Sequence, residues 1–230
     1  MTKTSSRLGY AGAAVLAGVL LVSPTAISTA SADDGFPAFG LPFAAGQKTG
    51  SAGIHSDDGG SGVKNAIDFN PDDSTVRAPL GGTVHLQHCS GGDWVTIDHV
   101  NGWRTGYYHM EGIKVADGQQ VEPGTVLGSI GNALPCGGHT TGAHVHFTLW
   151  TLGGAAALSN AAGPIPSGNW DNVSYDRLST EVANDVGVAV DGHTFGGWLF
   201  KAEAEQYKGT ATNVKTNEVV QLPGYFRYDG

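Results

Sequence analysis

The chain has 230 residues, with 21 acidic side chains against 12 basic ones for a formal net charge of −9, and two cysteines. That balance excludes binding to nucleic acid or to an anionic membrane by charge alone. Two thiols are too few for a thiolate zinc cage, so any metal here must be held by histidine and carboxylate.

Lys3 and Arg7 precede an apolar run from Leu8 to Val22, and the small triplet Ala30-Ser31-Ala32 follows. This pattern predicts a secretory signal peptide over residues 1–32, because the run is too short to span a bilayer and stops at Ser23-Pro24. Cleavage after Ala32 leaves residues 33–230, enough for a single domain with a real core. No cysteine stands near the cleavage point to accept a lipid, and no second apolar run follows. The expected product is therefore secreted, extracellular or loosely wall-associated, without stable membrane association. In an oxidising compartment the pair Cys89 and Cys136 reads as a disulfide.

Residues 33–62 are rich in Gly, Asp and Ser, with Phe36, Phe39, Leu41 and Phe43 as apolar anchors, and read as a loop-rich segment laid over the core. The first strand signal is Asn65–Phe69, where Ile67 and Phe69 share a face and Asp68 takes the other. Further strands are expected over 82–88, 93–99, 103–110 and 125–130, separated by Gly- and Asn-containing turns such as Gly91-Gly92 and Asn101-Gly102. A strand through His144–Trp150 has Val145, Phe147 and Leu149 on its core face and His144, His146, Thr148 and Trp150 on the other. Beyond it the chain is Ala-, Gly- and Pro-rich to about Gly168, then regains strand pattern over 187–200 with a hairpin expected at Asp191-Gly192. Helical periodicity is almost absent before residue 150. The expected class is all-β: a compact antiparallel sandwich or barrel, with core motifs at about 40–150 and a C-terminal β extension over 151–230.

Of the nine histidines, four stand out. His55 lies in a Gly-flanked loop 13 residues before Asp68, His109 ends an aromatic strand, and His144 and His146 project side by side. Two histidines and an aspartate suit a catalytic zinc site with an open position, and a neighbouring imidazole suits proton transfer. The helical His-Glu-x-x-His signature is absent. His85, His88, His99, His139 and His193 are read as structural, with His99 near the wall of the site.

The ordered pieces His55 with Ala66-Ile67-Asp68-Phe69, Val95-Thr96-Ile97-Asp98-His99, Thr105–Met110 and Thr141–Phe147 resemble the lysostaphin-type zinc endopeptidases of bacterial peptidoglycan, specifically the beta-lytic or staphylolytic branch. The resemblance implies one zinc ion held by His55, Asp68 and His146, with His109 and His144 as the catalytic pair, and a disulfide between Cys89 and Cys136. It also implies a tyrosine near the oxyanion, for which Tyr175 and Tyr207 are candidates. Most lysostaphin-type members place the first ligand four residues before the Asp, where this chain has Lys64. His55 must then fold back from its loop through Gly59-Gly60-Ser61-Gly62. The branch usually carries a long pro-segment, and none separates the signal peptide from these motifs, so latency is expected to be absent. The expected activity is hydrolysis of peptide cross-bridges of peptidoglycan beside Gly or another small residue, by a monomer. Two alternatives are a non-catalytic cell-wall-binding or amidase-activating relative and a protease acting on Gly-rich proteins.

Overall fold

Where β-branched and aromatic residues alternate with polar ones, the chain extends and pairs, because a period of two puts every apolar side chain on one face. The computed structural model describes residues 1, 35–57, 62–151 and 186–230. Its strands are β1 (Lys48–His55), β2 (Ala66–Pro71), β3 (Thr75–Arg77), β4 (Gly82–Cys89), β5 (Gly92–Asp98), β6 (Trp103–Tyr108), β7 (Gln120–Val121), β8 (Val126–Ser129), β9 (Val145–Thr151), β10 (Thr194–Phe195), β11 (Trp198–Ala202), β12 (Gly209–Asn213), β13 (Val219–Leu222) and β14 (Gly224–Arg227). Eight form one antiparallel sheet in the order β14-β1-β2-β9-β6-β5-β4-β7, while β10–β13 form a four-stranded sheet and β3 pairs with β8. The fold is all-β, as expected. The expected signal peptide and Tyr175 lie outside the described residues, and among those described no helix is long and apolar enough to cross a membrane.

One face of the large sheet is core. Ile54, Ile67, Phe69, Val95, Ile97, Tyr107, Val145, Phe147 and Leu149 are all buried there. They meet Phe195 and Phe200 from the small sheet, with Phe147 and Phe195 edge to face at 5.7 Å. The anchors Phe39, Leu41 and Phe43 are buried in the same cluster. The opposite face carries Asp68, His146, Thr148, Trp150, Tyr108 and Trp94, the alternate residues of the same strands.

Two expectations are corrected. The stretch before Gly62 is not all loop, since Lys48–His55 is an eight-residue strand paired on one side with β2 and on the other with β14. Its Gly-rich composition hid it. At Gly53 (φ +111°) an added Cβ would collide with the Tyr207 carbonyl, so glycine is what lets β1 run against that backbone. The C-terminal hairpin turns at Gly196-Gly197, not at Asp191-Gly192: both glycines have positive φ, which a two-residue turn of the favoured hand needs. The Asp191 carboxylate instead accepts from the Ala202 N–H and caps the hairpin. The C-terminal β extension is present as expected, and β14 lengthens the large sheet at its β1 edge.

Candidate active site

Strand register builds the centre. Asp68 on β2 pairs with His146 on β9, and His146 pairs in turn with Tyr108 on β6, so the three stand in one row across the polar face. His55 closes the end of β1 opposite Ala66, two residues along from that row and so on the same face. It is therefore a strand residue and not a loop residue, and the chain reverses between it and Ala66, as the antiparallel pairing of β1 with β2 requires. The Nε2 of His55 and the Nδ1 of His146 each lie 3.1 Å from Oδ1 of Asp68. All three side chains are buried, and their ligand atoms lie within 4.8 Å of one another.

These residues fit a metal ion. His55 donates its Nδ1–H to the Ser56 carbonyl at 2.8 Å, which leaves Nε2 as the lone-pair nitrogen. That Nε2 is buried without a hydrogen-bond partner among the described residues, since Asp68 is close but not aligned to bond it. Ligands of a tetrahedral zinc about 2.0–2.1 Å from the ion stand roughly 3.3 Å apart, close to the spacing here. Burial alone would raise the Asp68 pKa, but the His55 and His146 imidazoles outweigh it and hold the carboxyl well below its ordinary value. Burial would likewise lower His146, and hydrogen bonds to Asp57 and Asp68 instead raise it to about 10. A cation in this position would replace a proton that the two carboxylates already attract.

Beside this cluster stand His109 and His144, ring centres 4.6 Å apart. His109 follows β6 with φ +62°, a left-handed conformation costly for a residue with a Cβ. Its Nδ1–H donates to the Ala133 carbonyl at 3.0 Å, and that of His144 to the Gly142 carbonyl at 2.7 Å. In both rings Nε2 remains the acceptor. Burial lowers the His109 pKa to about 4, helped by the nearby His146, so this imidazole is neutral at ordinary pH.

The loop that orients His109 is held on two sides. Cys89 and Cys136 are bonded. The Tyr108 hydroxyl accepts from the Cys136 N–H at 2.7 Å and donates to the Gly137 carbonyl at 3.0 Å. Above the centre, Tyr207 stacks on the His55 ring at 4.4 Å. Lys64, four residues before Asp68, points away from the cluster. Its ammonium donates to the carbonyls of Glu203, Ala204 and Glu205, tying down the loop that delivers Tyr207. Gln206 fastens the same loop by accepting from the Ser56 N–H at 3.0 Å.

All five histidine and aspartate candidates line one cavity of about 400 Å³, together with Trp94, Tyr108 and Trp150. Gly106 keeps its floor low, since a Cβ there would strike the Thr148 hydroxyl. A second hollow shares Ala52, Asp68, Thr141 and His144 with it and continues to Tyr225. His139, read as structural, lines the first cavity. His99 is not on its wall: it bonds Gly81 and Thr105 on the core side of the sheet. Asp57 went unread because nothing in a loop carboxylate two residues after His55 marks it, yet it lies 2.7 Å from His146 Nε2.

An all-β scaffold that gathers two histidines and an aspartate beside a second imidazole pair, in an open cleft, defines the class of candidate hydrolytic metal centres. Residues 62–158, about two fifths of the chain, match Peptidase family M23. Asp68, His109, His144 and His146 fall inside the matched range, and His55 precedes it. Protease LasA of Pseudomonas aeruginosa is 36% identical over 149 residues, covering 57% of this chain and 35% of LasA. Peptidoglycan DD-endopeptidase ShyA of Vibrio cholerae is 35% identical over 80 residues, 35% of this chain and 18% of that protein. The chain thus spans about a third of the length of LasA and less of ShyA. The structure of the deep-sea M23 metalloprotease pseudoalterin superposes with a TM-score of 0.61 at 22% identity, over 83% of this chain and 98% of that one, and shares the fold.

Proposed function

We propose that the chain is a secreted zinc metalloendopeptidase that hydrolyses peptide cross-bridges of bacterial peptidoglycan beside Gly or other small residues. The observation that carries this reading is the pairing of two sets in one cleft: His55, Asp68 and His146 as a ligand cluster, and His109 with His144 as acceptors beside it. A zinc ion held by the first set supplies a Lewis acid for the scissile carbonyl and lowers the pKa of a water. His109, neutral and held by Ala133, accepts a proton at Nε2, and His144, once it carries a proton at Nε2, can donate it as a hydrogen bond to developing negative charge or pass it to the leaving amine. Tyr207, stacked over His55 and lining the same cavity, serves as the candidate for the oxyanion. The hollow continuing past Asp68 is walled by Gly50, Ser51, Ala52, Gly142 and Ala143, which suits a peptide of small side chains and supports the choice of cross-bridge.

Purified cell walls and a Gly-rich protein digested side by side, with the new ends sequenced, test the proposal. New peptide amines from the walls, abolished by a chelator and restored by zinc, are expected. New reducing sugar ends would overturn it, and cleavage of the Gly-rich protein alone would replace the substrate with that one.

A further inference from the structure

We propose that Asp57 is a positioning residue of the centre, one that sets which nitrogen of His146 faces the ligand cluster. The inference rests on the metal reading above and goes beyond it. Asp57 Oδ1 lies 2.7 Å from His146 Nε2, whereas Asp68 Oδ1 lies 3.1 Å from Nδ1 on the other side of the ring. Asp57 is therefore not a further member of the cluster, which among the described residues consists of His55, Asp68 and His146.

An imidazole can present a lone pair from either nitrogen, and only the Nδ1 lone pair of His146 points toward Asp68 and His55. With the Nε2–H donated to Asp57, Nδ1 is the nitrogen left to ligate, and the ring is fixed in plane. The carboxylate is itself held. Its second oxygen, Oδ2, accepts from the Asn65 side-chain amide at 2.9 Å, and Asn65 is fully buried at the start of β2. The Asp57 side chain is 9% exposed, so water competes little for either oxygen. Asn65 and His55 frame the chain segment on which Asp57 sits, and the same turn that ends β1 supplies both a ligand and the group that orients another. The carboxylate also makes the imidazole a stronger donor of electron density to a cation.

The test uses the full chain and zinc alone as the probe. Zinc affinity is measured by competition with a chromogenic chelator for wild type, Asp57→Ala and Asp57→Asn, alongside thermal melting of the metal-free proteins. Asp57→Ala is expected to weaken zinc binding about 10- to 100-fold with little change in the metal-free melting temperature. Asp57→Asn keeps an acceptor oxygen for Nε2–H and is expected to recover part of that loss. Affinity of the Ala variant within about twofold of wild type would overturn the assignment, being below the effect such a partner has on a ligating histidine. An Asn variant that binds no better than the Ala variant would overturn it too, and if Asp57→Ala fails to fold, Asp57→Asn is read against wild type, where an unchanged zinc affinity would overturn the assignment. A wild-type chain that binds no zinc is a separate result, which removes the metal reading and this inference with it.

Discussion

The two faces of the large sheet each carry a histidine network, and they differ in one respect. On the core side, Tyr107 donates its hydroxyl to Thr105, Thr105 donates to His99 Nε2, and His99 donates Nδ1–H to the Gly81 carbonyl. Every ring nitrogen has a partner. On the cleft side, His55 Nε2 is equally buried and makes no hydrogen bond among the described residues, facing the Asp68 carboxylate at 3.1 Å without being aligned to it, while His109 and His144 each spend one nitrogen on a carbonyl and turn the other to the cleft. Because a buried polar atom without a partner costs free energy, a closed network reads as structure and an open one as a site awaiting a ligand or substrate. Changes on the cleft side should cost metal and turnover while sparing the fold. Changes on the core side should do the reverse.

The largest effect is expected from His55→Ala, which removes the nitrogen that makes no hydrogen bond. The variant should lose zinc and bring activity to background, with a melting temperature in the metal-free state close to wild type. Zinc retained in stoichiometric amount would break the contrast at its centre, and elemental analysis reads this directly. Next is His109→Ala, which should keep zinc and lose about 10²- to 10⁴-fold in kcat, the usual share of a positioned acid or base. Equal loss of metal in both variants would show that ligands and proton-handling groups are not separate sets.

The cleft was more legible in the sequence than its framework. Asp68 and His146 could be read because their neighbours alternate so plainly: Ile67 and Phe69 flank the one, Val145 and Phe147 the other, and the period of two leaves the functional side chain on the free face. His55 was legible as a residue but not as a strand end, because Gly50 and Gly53 dilute the pattern of β1 and its pairing depends on β14, about 170 residues away. Lys64 reads as a failed ligand until the loop at 203–205 is in view, and Asp57 until His146 is folded against it. The misplacement of His99 has a simple cause. It follows β5 directly, but the chain turns there through the short helix Val100–Gly102, so strand alternation no longer tells which face its ring takes.

Reduction of Cys89–Cys136 falls between the two networks. The bond closes a loop of 47 residues and stabilises the fold by about 4 kcal/mol on the chain-entropy account. Since it also anchors the loop whose Ala133 carbonyl holds His109, reduced protein should melt earlier and turn over more slowly, with zinc content unchanged. Melting and metal analysis on the same reduced sample check both halves, and zinc lost on reduction would show that the loop supports the ligands as well.

The smallest effect, and the one confined to the core side, is the pH response of His99. Burial lowers its pKa from 6.5 to about 4, against the pull of the Gly81 carbonyl and Asp98. The network explains why the neutral ring is preferred: Nε2 must accept from Thr105, whose own hydroxyl oxygen is occupied by Tyr107, and an added proton there would face a donor. Between pH 6.5 and 4 the unfolded chain binds a proton that folded His99 refuses. Stability therefore rises with pH through that window and falls as the solution is acidified, by at most about 3 kcal/mol once pH is below the folded value. His99→Gln removes the titrating group, so its stability should change less than that of wild type between pH 7 and pH 4, while zinc affinity at neutral pH stays the same. Chemical denaturation of metal-free wild type and variant across the range measures the difference. Parallel curves would mean that the acid sensitivity lies elsewhere, and a loss of zinc affinity in His99→Gln would mean that the two faces of the sheet are coupled through β6.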